Sequence, residues 1–300
     1  MSVRIGVGLG TRTTLHGPEL GPVVDELERL GFDSLWLSER ITGEAPDPIV
    51  GMAFAAGRTT RLKFGMSVLV LPGRNPVVLA KELATLAVMS GGRLLPAFGL
   101  GVADGAEHQA FGVQRAERAR WFDEALTVMR SCWRDDVVDH HGERFHYEGL
   151  RVRPQPARLD VWLAGIAPSE LRRVGRLADG WLPSFVTPGD AAAGRIVVEQ
   201  VAAEHERSIE DDHYGVLIPY AMHTVPDQLV AQLARRHPDL TDPAELVPIG
   251  GDALVDAIKR FVDVGTTKFV VLPIVEPSDP DAWSAHLADA ADALLPLETR

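Results

Sequence analysis

The feature that most constrains this chain is an alternation, repeated eight times, of short apolar runs with helical stretches. Short apolar runs bounded by turn residues read as buried strands, and helices between successive strands make those strands neighbours in a parallel sheet. The runs are VRIGVGL (3–9), FDSLWL (32–37), LKFGMSVLVL (62–71) and RLLPAFGL (93–100), followed by VWLA (161–164), GWLPSF (180–185), YGVLIPYAM (214–222) and KFVVLPIV (268–275). Between the first two, Leu20, Val23, Val24, Leu27 and Leu30 form one stripe that stops at Gly31, a glycine helix end. Asp47-Pro48 and Asn75-Pro76 each pair an N-cap with a proline suited to the first helical position. Residues 137–149 alternate about Gly142 and predict a hairpin outside the main sheet, and 224–250 reads as an insertion. Eight such units favour a closed (β/α)8 TIM-type barrel with insertions over an open doubly wound sheet, with 1–300 as one domain.

Composition agrees, and it narrows the partners. Aliphatic and aromatic residues make up 46% of the chain against 24% charged, enough to bury a large core. A net charge of -12 argues against a nucleic-acid backbone or an anionic membrane as the main partner, since both need clustered Lys and Arg. A small molecule is expected instead. The lone Cys132 cannot form an internal disulfide, which fits a reducing cytoplasm. The N-terminal MSVRIGVGLG lacks a long apolar region, and no run approaches the ~20 residues of a membrane span, so the protein is expected to stay where it is made.

In a barrel of this kind chemistry sits at the C-terminal ends of the strands. Those ends carry Gly8 and Gly10; Ser38, Glu39 and Arg40; Ser67 to Pro72 with Arg74 and Asn75; GLGVADGAEH (99–108); and AGIAPSE (164–170). The second is the most telling, because LWLSERI delivers a carboxylate and a guanidinium to the end of a buried strand. In AGIAPSE, Ala164 and Gly165 leave backbone N–H groups uncovered before a helix starting near Pro168, and a helix N-terminus attracts an anion. Glu170 reads as ordinary first-turn acid. GLGVADG has GxGxxxG spacing rather than the dinucleotide fingerprint, and no HExxH, GxSxG or P-loop is present, so no metal site is assigned.

As an ordered set, ELERLGFDSLWLSER, RTTRLKFGMSVLVLPGRNPVVLAKELATLAVMSGGRL, GLGV with EHQAFG, and VWLAGIAPSELRRVGRLADGWLP resemble the bacterial luciferase-like monooxygenase family, in particular its actinobacterial oxidoreductases using the deazaflavin coenzyme F420. The resemblance covers the chain to about residue 185. It implies a ring held at the C-terminal mouth, a non-prolyl cis peptide at Ser67–Val68 behind the ring, and cofactor phosphate beside Ala164, Gly165, Ile166 and Ala167. Gly8, Ser38 and Gly101 join the expected cofactor contacts. Where many relatives have an acid followed by histidine, this chain has Glu39 and Arg40. Arginine stays protonated, so Glu39 is the expected proton carrier and Arg40 a clamp for negative charge on substrate or ring, with Glu107 of EHQAFG a reserve acid. A structural Glu39–Arg40 ion pair is the competing reading.

The expected activity is hydride transfer between a small organic substrate and F420. An FMN-dependent monooxygenase is the alternative, and a flavin-binding protein without turnover a further one. Relatives of this kind commonly pair, so a homodimer is expected.

Overall fold

The computed structural model describes every residue except Met1, His16, Pro238, Asp239, Thr241, Arg300 and the side chain of Arg236; Pro238, Asp239 and Thr241, inside the expected 224–250 insertion, therefore lie outside the described residues. In chain order the elements begin β1 (Arg4–Leu9), α1 (Leu20–Leu30), β2 (Ser34–Leu37), α2 (Pro48–Arg58), β3 (Lys63–Met66), β4 (Leu69–Val70) and α3 (Pro76–Met89). They continue β5 (Leu94–Leu95), β6 (Ala97–Gly99), α4 (Gly105–Phe111), α5 (Arg118–Arg134), β7 (Val138–His141) and β8 (His146–Leu150). The rest are β9 (Trp162–Leu163), α6 (Pro168–Leu177), β10 (Gly180–Trp181), α7 (Pro188–Glu204), β11 (Gly215–Tyr220), α8 (Asp227–Arg236), α9 (Gly251–Asp263), β12 (Lys268–Pro273) and α10 (Pro280–Leu294).

Two of the eight expected strands are interrupted. The third splits into β3 and β4 at the cis Ser67–Val68 peptide. The fourth splits into β5 and β6 at Pro96, which has no N–H to give a ladder. Each half pairs with its counterpart, β3 with β5 and β4 with β6. Parallel pairing then runs through β9 and β10, bridges to the seventh strand at Trp181–Tyr214 and Ser184–Leu217, and returns through β12 to β1. With β1–β2 and β2–β3 this completes the (β/α)8 circuit. β7 and β8 form the separate antiparallel hairpin, and the 224–250 segment contributes α8.

Helix formation follows the sequence signals. The side chains of Asp47 and Asn75 accept N–H bonds from the first turns of α2 and α3, with proline leading each helix. The main core lies between strands and helices, where α1 buries Leu20, Val23, Val24 and Leu27. A second cluster, Trp36, Ala97, Trp162, Leu182, Leu217 and Val270, fills the barrel interior. Trp36 lies across Gly65 of the adjacent strand: a Cβ there would come within 2.4 Å of the indole, so a small residue on one strand makes room for a large one on the next. The Trp36 ring N–H donates to Ser34 Oγ at 2.9 Å.

The N-terminal end of the barrel is closed by charge. Asp33, at the β2 entry, pairs with the buried Lys268 ammonium and with Lys63 at 3.2 Å. Burial pushes the Asp33 carboxyl up, and the two ammonium groups outweigh it to hold the pKa at about 2. This face serves stability. Cys132 is buried in α5, its thiol pushed up to about 11 by burial.

Candidate active site

The opposite face opens into two adjoining cavities of about 310 Å³ each, sharing Thr11, Ser38 and Ser67 at their junction. The first extends over the ends of the second to fifth strands and is walled by Val68, Val70, Phe98, Leu100 and Leu163, with Gly101, Ala164 and Gly165 at its edge. The second extends over the sixth, seventh, eighth and first strands. Ser38 Oγ lies 3.3 Å from the Ser67 carbonyl oxygen and 3.4 Å from its hydroxyl, tying strand two to the cis peptide where the cavities meet.

Glu39 is almost sealed from water, its side chain 2% exposed. One carboxylate oxygen pairs with the Arg74 guanidinium and the other accepts the Val70 N–H at 2.7 Å. Arg74 also donates to the Val70 carbonyl at 2.9 Å. Pair and amide together pin β4 just after the cis peptide. Burial raises the Glu39 carboxyl above the usual carboxylate range, and Arg74 and the Val70 amide only partly offset it. The competing sequence reading is therefore corrected: the ion pair is Glu39–Arg74, because Arg40 turns outward at the rim, half-exposed, 3.5 Å from Asp104.

Glu107 is buried beneath the loop that follows β2. Its carboxylate accepts the Thr42 hydroxyl at 2.7 Å, the Thr42 N–H at 3.0 Å and the Ile41 N–H at 3.4 Å. It does not cap α4; Asp104 does, accepting the N–H groups of Ala106 and Glu107, which hold its carboxyl below the usual range. Arg118, also buried, donates to the carbonyls of Leu100, Gly101 and Val102 at 2.8–3.1 Å and shapes the loop after β6.

The start of α6 differs from expectation. The Ala164 N–H, expected to be uncovered, faces the Phe98 carbonyl at 3.4 Å, and the N–H groups of Ile166 and Ala167 are not open either: Glu170 folds back so that one oxygen accepts both at 3.0 Å. Gly165 makes this possible: its φ is +110°, and a Cβ there would lie 2.6 Å from the Glu170 carboxylate. A phosphate taking those amides displaces a carboxylate of like sign. Arg173, one turn further on, lines the same cavity and is paired with Asp123 at 2.6 Å.

The structure thus brings Ser38, Glu39, Ser67, Val68, Gly101, Glu107, Ala164 and Gly165 to one cavity. Arg40, Gly8 and Ala167 are not among its lining residues, and Ile166 lines a neighbouring cavity with Gly165, Glu170 and Phe185. Gly8 is crowded instead by the side chains of Val270 and Leu272, at 3.1 and 3.3 Å from where a Cβ would stand. Sequence reasoning passed over Arg173, Phe185 and Glu276. Phe185 has φ +54°, rare for a bulky residue and most often seen where a site over-determines the backbone. Glu276 follows the last strand as Glu39 follows the second, and an acid at a strand end was the available signal.

Comparison with known proteins identifies the family and the fold. Residues 3–247 match the family described as luciferase-like monooxygenase. The F420-dependent glucose-6-phosphate dehydrogenase of Mycobacterium avium is 26% identical over 291 residues, covering 91% of this chain and 84% of that protein. For the first two curated relatives the chain spans about half their length, 56% and 49%. An F420-dependent secondary alcohol dehydrogenase, solved with an F420–acetone adduct, superposes with TM-score 0.80 at 19% identity over the whole of both chains. An FMN-bound type II Baeyer–Villiger monooxygenase component from Pseudomonas putida gives TM-score 0.79 at 16% identity, over 100% of this chain and 99% of that one.

Proposed function

Since this chain belongs to the luciferase-like monooxygenase family, we propose that it is an oxidoreductase moving hydride between a small organic substrate and the deazaflavin coenzyme F420. One observation carries the reading: two cavities of about 310 Å³ meet over Ser38 and Ser67, one partly apolar and lined by Val68, Val70, Phe98 and Leu163, here the ring slot, the other a separate chamber. A flat ring has apolar side chains to lie against there, Val68, Val70, Phe98 and Leu163. Ser67, Val68, Gly101, Ala164 and Gly165 would hold it. When bound, F420 supplies a ring carbon that accepts or returns a hydride; the barrel supplies orientation, dryness and charge.

The acids near the ring divide their work. Both Glu39 oxygens are engaged, so we read Glu39 as a positioning residue that, through Arg74 and the Val70 amide, fixes the ring-facing end of the third strand. Glu107 holds the loop after β2 through Thr42 and Ile41. Arg40 stands at the rim, available to an anionic group outside the slot rather than to the reacting atoms. The cofactor phosphate is assigned to the α6 N-terminus, where Glu170 yields the Ile166 and Ala167 amides to it.

Titration decides between this reading and the FMN-dependent alternative. Purified protein mixed in parallel with F420 and with FMN, followed by ring fluorescence, is expected to bind F420 at micromolar concentration or tighter. Micromolar binding of FMN with none of F420 would replace the deazaflavin by a flavin and hydride transfer by oxygen chemistry.

A further inference from the structure

We infer that the second chamber is the substrate compartment, that it takes an uncharged, largely apolar alcohol or ketone, and that Glu276 is the group exchanging a proton with the substrate oxygen; this rests on the deazaflavin reading for the hydride partner only.

The chamber's wall is made by Leu217, Leu229, Leu272 and Phe185 together with prolines of the seventh and eighth strands. Among its lining residues only two carry ionisable side chains, Arg12, exposed at the rim, and Glu276, part-buried within. A phosphorylated or carboxylated substrate would enter facing a carboxylate, with one exposed guanidinium in compensation. Burying an anion demands closer pairing than that. An uncharged molecule faces no such penalty, and the leucine walls favour an apolar body.

Glu276 is held in place. It follows β12 at the C-terminal face, and its two oxygens accept the Thr13 hydroxyl at 2.6 Å and the Gly10 N–H at 3.3 Å, both from the loop after β1. A carboxylate offers about four acceptor positions, so these two bonds leave room for a substrate hydroxyl. Burial lifts its carboxyl above the usual range despite the bonds from Thr13 and Gly10, which moves it toward the working range of a general base. Like those of Glu39, both of its oxygens accept a bond, but no cation pairs with it, and the Gly10 bond is long, which leaves that oxygen the one to face a substrate hydroxyl. The chamber meets the ring slot at Thr11, Ser38 and Ser67, so a substrate carbon at the junction is reached from the ring side while its oxygen faces the chamber.

The step balances. The carbinol C–H bond breaks with its electron pair leaving as hydride to the deazaflavin, the O–H proton passes to the Glu276 carboxylate, and C–O becomes C=O. The alcohol is oxidised by two electrons and the deazaflavin reduced by two; ketone reduction is the reverse, with Glu276 protonated at the start.

The test uses cyclohexanol and cyclohexyl phosphate, which share a ring and differ in charge. Calorimetry on the cofactor-free full-length protein is expected to show cyclohexanol binding, with cyclohexyl phosphate at least tenfold weaker, and Glu276→Gln is expected to narrow that gap. In cofactor-loaded single turnover with cyclohexanol, the rate is expected to rise with pH through one ionisation. Glu276→Gln should lose that limb and about 10²-fold or more in rate, while Glu276→Asp should keep the limb. Equal affinity for the two probes, or a Glu276→Gln variant with an unchanged limb, would overturn the assignment. Failure of F420 to bind, by contrast, strikes the cofactor reading and leaves the calorimetric arm to judge the chamber.

Discussion

Removing the Arg74 guanidinium probes the buried carboxylate of Glu39 at the mouth. Arg74→Met keeps much of the apolar stem and leaves Glu39, 2% exposed, with one N–H bond from Val70 and no counter-ion. Breaking a fully buried pair from one side costs about 3–5 kcal/mol. Arg74 itself is 21% exposed, so solvent absorbs part of that, and we expect a loss of about 2–3 kcal/mol near neutral pH. The sign with pH is fixed by the shift. Burial already raises the folded-state pKa of Glu39 above its unfolded value, and deleting Arg74 raises it further. A group shifted this way stabilises the fold while protonated, below its unfolded pKa, and that stability drains as pH rises through the folded pKa. The variant's deficit should therefore be full at about pH 8 and smaller by about 1 kcal/mol or more near pH 5. Urea unfolding of wild type and variant at several pH values measures it. A deficit below about 0.5 kcal/mol, or one that does not change with pH, would refute the description of Glu39 as a desolvated carboxylate held by Arg74.

Other outcomes follow from the same geometry. Glu107→Ala should release the loop after β2 by removing the acceptor of Thr42 and Ile41, costing about 1–3 kcal/mol in unfolding experiments and weakening ring binding in fluorescence titration. Glu170→Gln should tighten a phosphate-bearing cofactor about fivefold, because it removes a like charge from the Ile166 and Ala167 amides; weaker binding would mean that the carboxylate orders the loop instead. Gly165→Ala should lower stability by about 1–3 kcal/mol and weaken cofactor binding, since it combines a positive φ with a clash against Glu170. Asp33→Asn strands the desolvated Lys268 and should cost about 3–5 kcal/mol while leaving cofactor affinity unchanged, as that pair lies at the far end of the barrel. In the parent protein the Asp33 contribution, present above its unfolded pKa, should fade as pH falls toward about 2.

The barrel was legible because its signals are local. Apolar runs, the Asp47-Pro48 and Asn75-Pro76 caps, and the glycine helix end at Gly31 each act within a few residues, and each marks an element of the structure. The cis peptide at Ser67–Val68 came from family resemblance, not from any local propensity. What escaped was the partner of each charge. Glu39 stands beside Arg40 in the sequence, whereas the folded chain pairs it with Arg74, 35 residues away; both lie in the loop past β2, where Arg40 turns out toward Asp104 at the rim. Glu170 looked like an ordinary first-turn acid, and only the positive φ of Gly165 lets it reach back over the amides. Glu276 was overlooked because the resemblance thins beyond residue 185, where the eighth strand reads as no more than the closing element of the barrel.

The central claim is hydride transfer at the junction of ring slot and substrate chamber. F420 reduced with borodeuteride carries deuterium on the transferring ring carbon, and it can be supplied with cyclohexanone under air while oxygen uptake and product mass are followed. The ring carbon then carries one hydrogen and one deuterium in both configurations, so the account predicts cyclohexanol of which a substantial fraction bears one deuterium on its carbinol carbon, with no oxygen consumed. A ring-expanded lactone formed with stoichiometric oxygen uptake, or deuterium lost to solvent with the ketone unreduced, would contradict it.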